Sequence, residues 1–369
     1  MKIIDRTVGS GILLTTFFGV VVLSLVLVLG NIFKELLDIL INNPDVPVST
    51  LLAFMALVLP FSLTFTIPWG FLTALLLVFG RMSADNELVA LKSNGVSIPR
   101  TCAPAFFLAV ALTLICFLIN IEIAPRAEQA MTRAVMDIAT SNPASLFRAD
   151  EIVDKFPDRR VYVERKEGDK LFNIIVFELD EAFVPKQMIF AHEGLLTPDP
   201  ANSRLLFRLF NARFEQRDEK DPRDVSKIQQ GIVMQEGVFP ISLEKFFEEY
   251  QGTRRMSSYT LSELSDFLAK GAGDRHTEAM VEFNKRFSVS LACAAFVLIA
   301  VPLGITAHRK ETSVGFALSL VIAFTYFFFI IMADTFRNNP AAHPSVLIWI
   351  PNILFFGLGS VLFARLAKH

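Results

Sequence analysis

The chain has 369 residues, 53% hydrophobic and 20% charged, with a net charge of −2 and a mean hydropathy of +0.47. That is too apolar for an ordinary soluble domain and too charged for a bare helical bundle in a membrane. Three cysteines, Cys102, Cys116 and Cys293, fall in or beside apolar runs without metal-ligand spacing, so the polar part of the chain holds no disulfide framework.

In chain order, no charge falls between Arg6 and Lys34, Asp45 and Arg81, or Arg100 and Glu122. The same pattern returns between Arg286 and Arg309, Glu311 and Asp334, and Arg337 and Arg365. Each gap holds at least 21 residues, and a helix needs about 20 to cross the hydrocarbon core. Residues 122–286 carry 53 of the chain's 72 charges. The expected fold is therefore an α-helical membrane protein of six transmembrane helices, three and three, with an inserted extramembrane domain. The expected boundaries are 1–125 for the first membrane half, 126–280 for the polar domain and 281–369 for the second half. The first run is too long for the apolar core of a signal peptide and lacks a cleavage site, so it reads as a retained helix.

Basic residues set the expected orientation. Lys2, Arg6, Arg81, Lys92, Arg100, Arg309, Lys310, Arg365 and Lys368 share one side, whereas the opposite short connections offer only Lys34 and Arg337 against several acids. The positive-inside bias puts both termini in the cytoplasm and the polar domain outside, in the periplasm of a Gram-negative cell. The second run contains Pro60 and Pro68 and is read either as a kinked or broken helix or as a tilted helix after an interfacial stretch. Pro302 with Gly304 marks a hinge or a helix end.

Residues 81–96, Arg81-Met82-Ser83-Ala84-Asp85-Asn86-Glu87-Leu88-Val89-Ala90-Leu91-Lys92-Ser93-Asn94-Gly95-Val96, are the most informative short stretch. Ser83 is a cap candidate for a helix over about 83–95, with Asp85 and Glu87 at its positive end, Lys92 at its far end and Gly95 as its stop. Leu88 and Leu91 share a side with Glu87, which flanks a carboxylate with exposed apolar contacts. Such a helix either plugs into a groove on a cytoplasmic protein or rests on lipid headgroups as a connector.

Residues 126–140 continue the third helix. Beyond them the polar domain reads as β. Segments such as Arg160-Val161-Tyr162-Val163-Glu164 and Leu171-Phe172-Asn173-Ile174-Ile175-Val176-Phe177 are rich in β-branched and aromatic residues and separated by turn clusters. Strands at this spacing without intervening helices point to a sandwich or jelly roll. A short helix follows the cap candidates Ser258 and Thr260.

No phosphate-binding loop, dinucleotide glycine pattern or nucleophile elbow occurs. The histidines show no pairing at ligand spacing, and His192-Glu193 reads as a turn feature. Apart from His308 at one edge, no acid or histidine lies inside a predicted apolar span, so proton-relay transport is disfavoured, and energy for any transport has to come from a partner. No enzyme activity, cofactor or nucleic-acid binding is indicated.

The pattern Arg-x-x-x-(Asp/Gly)-x-Glu-Leu with a small-residue turn, following a proline-bearing second helix, resembles the YjgP/YjgQ (LptF/LptG) permease family. Residues Ile189 to Gly194 and Asn211 to Phe214 are similar to that family's jelly-roll strands. The resemblance covers nearly the whole chain. It implies a permease subunit of the lipopolysaccharide-export ABC transporter in the bacterial inner membrane. The implied partners are a second permease of the family, a cytoplasmic ATPase dimer, a periplasmic jelly-roll bridge protein and lipopolysaccharide itself. Glu87 matches the acidic residue of the coupling helix that meets the ATPase, with Asp85, Leu88 and Leu91 around it. Lys34 falls where the family places basic residues near the lipid A phosphates, although a snorkelling lysine is an equal reading. Arg126 and Arg133, seven residues apart on a continuing helix, are further phosphate candidates. The alternatives are an ATPase-coupled permease that moves no lipid through itself, and a sensor or assembly factor acting through its periplasmic domain.

Overall fold

A computed structural model describes residues 2–42, 48–141, 147, 149–156, 159–168, 170–179, 185–199, 204–216, 229–242, 255–271, 273–306 and 312–368. The chain forms two compact units, one of residues 1–36, 47–130 and 255–369 and the other of 37–46 and 131–254.

Among the described residues, five helical stretches are long and apolar enough to cross a bilayer: 3–30, 52–84, 98–134, 314–335 and 340–366. They belong to α1 (Lys2–Asn42), α2 (Val48–Ala84), α4 (Ile98–Leu118) with its continuation, α9 (Thr312–Thr335) and α10 (Pro344–Lys368). Between α2 and α4 stands the short α3 (Glu87–Ser93). A sixth span arises when α7 (His276–Ser290) and α8 (Ala292–Thr306), bent by 41°, are counted as one. The bend falls at Leu291, so Pro302, read as a hinge or a helix end, lies inside α8. α2 likewise runs uninterrupted through Pro60 and Pro68; packed neighbours can satisfy the backbone groups that a proline frees.

The centre of this unit is the α2–α8 contact. Phe71, Leu72, Leu75 and Phe79 bury against a cluster that includes Phe296, Ala300 and Val301. A Cβ placed on Gly304 would sit 3.1 Å from the Phe79 Cβ. Small residues at that crossing let the backbones approach, which is the main source of affinity between helices in lipid. α4 passes through a π-helical turn, Ile119–Ile123, into α5 (Ala124–Ser141). α6 (Leu261–Ala269) begins with a capping box: the Glu263 N–H donates to Thr260 Oγ1 at 3.4 Å and the Thr260 N–H to Glu263 Oε2 at 2.8 Å. The segment 255–271, assigned to the polar domain on sequence, packs with α7 in the helical unit through Met256, Leu264 and Ala279.

The second unit holds one antiparallel sheet: β1 (Glu151–Phe156), β2 (Arg159–Glu167), β3 (Lys170–Leu179), β4 (Pro185–Asp199), β5 (Arg204–Gln216) and β6 (Gln229–Ser242). Each strand pairs with its sequence neighbour, in the order β1 to β6. Among the described strands this is an up-and-down meander. It lacks the crossovers that define the jelly roll expected from sequence.

A transverse crease divides the sheet. Glu164, Asn173, His192, Asn211 and Gln235 lie opposite one another in register, and at this row the pairing of every ladder from β2 to β6 is interrupted. Asn173 and Asn211 both adopt a left-handed φ of 50°, which asparagine tolerates better than most residues. Along the row Asn173 Nδ2 donates to Glu164 Oε2 at 2.8 Å, and His192 Nδ1 lies 3.0 Å from Asn173 Oδ1. The buried positions slip from every second to every third residue across it, at Leu171 and Ile174, Ala191 and Gly194, and Leu209 and Ala212. Both arms of the bent sheet thereby present their apolar sides to one interior. Val161, Val176 and Ile189 from one arm meet Phe207, Leu209 and Phe239 from the other, leaving about 10 Å³ between them, room for one water.

Asn211→Val is expected to destabilise this unit by about 1–2 kcal/mol, because a β-branched residue is strained at positive φ. Asn211→Gly should be nearly neutral. Thermal unfolding of the full chain, followed by strand-sensitive circular dichroism, distinguishes the two.

Candidate functional site

α3 has too few residues to be stable alone, so its sequence has to anchor it. The structure shows how. The apolar face turns inward: Leu88 is 7% exposed within the helical core, and half-buried Leu91 packs against the same cluster. This corrects the expectation that Leu88 and Leu91 are exposed contacts beside Glu87. Asp85, Glu87, Ala90 and Lys92 remain outside, with Val89 at 61% exposure as the apolar element of the free face.

The start of α3 also differs from expectation. α2 continues to Ala84, and a two-residue turn, Asp85 and the left-handed Asn86 (φ 57°), separates the two helices. Ser83 is not a cap, because its Oγ donates to the Ile305 carbonyl of α8 at 2.7 Å in a buried contact. The stop falls where Gly95 places it. At a φ of +79° its N–H donates to Lys92 O at 2.9 Å, while the Val96 N–H donates to Leu91 O at 3.0 Å. These paired bonds close the carbonyl end of the helix.

α3 is thus fixed to α2 through the chain and through Leu88, and α2 is fixed to α8 through Ser83 and the Gly304 crossing. Leu88→Ala should cost about 3 kcal/mol of stability by leaving a cavity under the helix. Val89→Ala should leave stability unchanged while removing the main apolar contact of the exposed face. Thermal melting separates these two roles.

α8 leads to the bend at Leu291, where polar side chains from four other helical segments converge. The Leu291 N–H is shared between Phe287 O and Ser288 O, each at 3.2 Å. Asn352 of α10 donates to Ser288 O at 2.9 Å and to Ser288 Oγ at 2.7 Å. The Tyr326 hydroxyl of α9 lies 3.0 Å from Ser288 O and 3.1 Å from Asn352 Oδ1. On the other side Thr64 of α2 donates to Asn120 Oδ1 at 2.8 Å, and Asn120 donates to Ser290 Oγ at 2.9 Å. Asn120 sits in the π-helical turn, which aims its amide at the bend. Tyr326, Ser288, Ser290, Asn120 and Asn352 are all buried. A bent helix exposes backbone polar groups, and in lipid each has to find an internal partner; these side chains supply them.

The α7 end of this pair carries a charge cluster that the sequence reading treated only as a flank of the apolar run. Arg286 is 4% exposed, with Nε 3.2 Å from Glu282 Oε1 and Nη2 donating to Ser257 O at 3.0 Å. Lys285 donates to Asp334 Oδ2 at 2.7 Å. Of the phosphate candidates, Arg126 pairs with Glu122 one turn earlier, and Arg133 is exposed on α5. The side chain of Lys34 lies outside the described residues.

The bend bracket has no charge, proline, cysteine or histidine to mark it in the apolar runs. Serine, asparagine and tyrosine at 288, 290, 352 and 326 were the available signal.

The family model of the lipopolysaccharide export system permease LptF/LptG matches residues 6–365. Among curated proteins none matches. A match over almost the entire chain, on a protein with five to six membrane-length helices and an antiparallel β unit, means that it belongs to the LptF/LptG family of lipopolysaccharide export permeases.

Proposed function

We propose that this chain is one permease subunit of an ATP-driven machine that extracts lipopolysaccharide from the inner membrane and passes it to a periplasmic bridge protein. Family membership carries the export role. The anchoring of α3 supports the ATP-driven part: an outward face of Asp85, Glu87 and Val89 stands on a base that ties it to α2 and α8. In this reading α3 is the coupling helix of a cytoplasmic ATPase dimer. A charge-assisted contact from Glu87 to an arginine or a helix N-terminus of that partner holds the two together.

Movement of α3 then passes along α8 to the bend at Leu291, and the bracket of Asn120, Tyr326 and Asn352 shares it with the other spans. A second permease of the same family completes the lipid cavity. Both termini face the cytoplasm and the β unit faces the periplasm, in line with the distribution of basic residues. Lys34, Arg126 and Arg133 are the candidates for contact with the phosphorylated head of the lipid; of these, Arg126 already has a carboxylate partner, which weakens its role. Acyl chains are received between the arms of the creased sheet. The narrow space between Phe207 and Val176 requires the arms to part about the Asn173–Asn211 row first.

Depletion of the protein from its native cells tests this reading. Pulse-labelled lipopolysaccharide should accumulate in the inner-membrane fraction within one generation. Unchanged delivery to the outer membrane would contradict the proposal.

A further inference from the structure

A groove lies at the N-terminal end of α1, lined by residues of neither the bend nor α3. α1 and α4 come close where a Cβ on Gly9 would meet the Pro104 Cβ at 3.6 Å, and an open groove of about 540 Å³ runs along the pair. Leu13, Phe107 and Leu108 form its walls, and Phe107 is 76% exposed. Asp5, Arg6 and Arg100 stand at its mouth. Arg100 donates to Asp5 Oδ2 at 2.8 Å, which neutralises one positive charge. Arg6 is exposed and has no ion-pair partner among the described residues. The mouth therefore carries one net positive charge over an apolar trough.

Arg6 and Leu13 are seven residues apart on a helix, which sets the charge about 10 Å from the apolar wall. A phosphate held at Arg6 would therefore lay the upper part of its acyl chain along Leu13. A trough of this kind on the cytoplasmic side of membrane helices suits anionic lipid headgroups. We infer that the α1–α4 groove holds a monoanionic phospholipid of the cytoplasmic leaflet, with Arg6 on the phosphodiester, the Arg100–Asp5 pair beside the headgroup and one acyl chain along Leu13 and Phe107. The site concerns a resident membrane lipid, not the exported cargo; it rests on the proposed cytoplasmic placement of the termini and not on the transport reading.

Native mass spectrometry of the full chain, after exchange into an equimolar mixture of phosphatidylglycerol and phosphatidylethanolamine, tests it. One phosphatidylglycerol should be retained preferentially per chain. Arg6→Gln should lower that retention about fivefold, and Arg6→Lys should restore most of it. Gly9→Leu, which fills the floor of the trough, should lower retention of both lipids while the melting temperature stays within a few degrees. Equal retention of the two lipids, or retention indifferent to Arg6→Gln, would overturn the assignment. So would efficient crosslinking from Phe107 to a second copy or another protein in native membranes, since that would show a polypeptide covering the groove.

Discussion

Replacing Glu87 by arginine is expected to abolish recovery of the ATPase proposed as its partner, without changing the permease's own melting temperature. Glu87 opens α3 on its exposed side, so reversal of its charge has no buried partner to disturb within the chain. At the interface it would set a cation against a cation. Loss of one member of a desolvated charge pair costs about 2–5 kcal/mol, and about 3 kcal/mol is roughly a hundredfold in affinity. Co-purification from membranes at equal permease levels measures it. Undiminished ATPase recovery would mean that α3 is a connector on lipid headgroups. Compensation by a charge-reversed ATPase residue would identify the partner directly.

A second large effect on stability is expected at Tyr326. Its ring is fully buried and packs edge-on against Phe296 at 5.0 Å and Phe327 at 5.5 Å, with Phe355 at 5.8 Å. Tyr326→Ala removes those contacts and opens a cavity beside the bend, at a cost of about 3 kcal/mol. Tyr326→Phe keeps the ring and loses only the hydroxyl, which a typical interhelical hydrogen bond values at about 0.6 kcal/mol. Ser288 O retains Asn352 as a donor in that variant. Unfolding in mixed micelles should therefore give a ratio of about five between the two losses. A large loss for the phenylalanine variant would show that the hydroxyl, rather than ring packing, holds the bend.

What the sequence disclosed follows from which physical signals are local. Charge-free runs mark membrane-length helices because the bilayer imposes a fixed thickness. Gly95 and Thr260 mark helix ends because a left-handed residue and a capping hydroxyl act within a few residues. The inward turn of Leu88 and Leu91 was hidden, because helical spacing says which residues share a face but not which way the face points. The position of the bend was hidden for a different reason. Proline was the expected breaker, yet Pro302 sits in an intact helix, while the break at Leu291 is held by groups more than 25 residues away in Tyr326, Asn352, Thr64 and Asn120. The crease was hidden as well. Asn173 and Asn211 read as ordinary polar positions in strands, and only the register across the sheet shows that they form a row with His192. Of the candidate residues themselves, Glu87 could be recognised through a motif, whereas the bracket around Ser288 has none.

The most direct test places a photo-crosslinking residue at Phe207, inside the creased sheet, in cells that express the complete transporter. Lipopolysaccharide should be captured there only while ATP is being hydrolysed, and the adduct should vanish in the Glu87→Arg background. Capture that is equally strong without ATP, or the absence of any glycolipid adduct from Phe207 and from neighbouring Val176, would contradict an energised path for lipid through this protein.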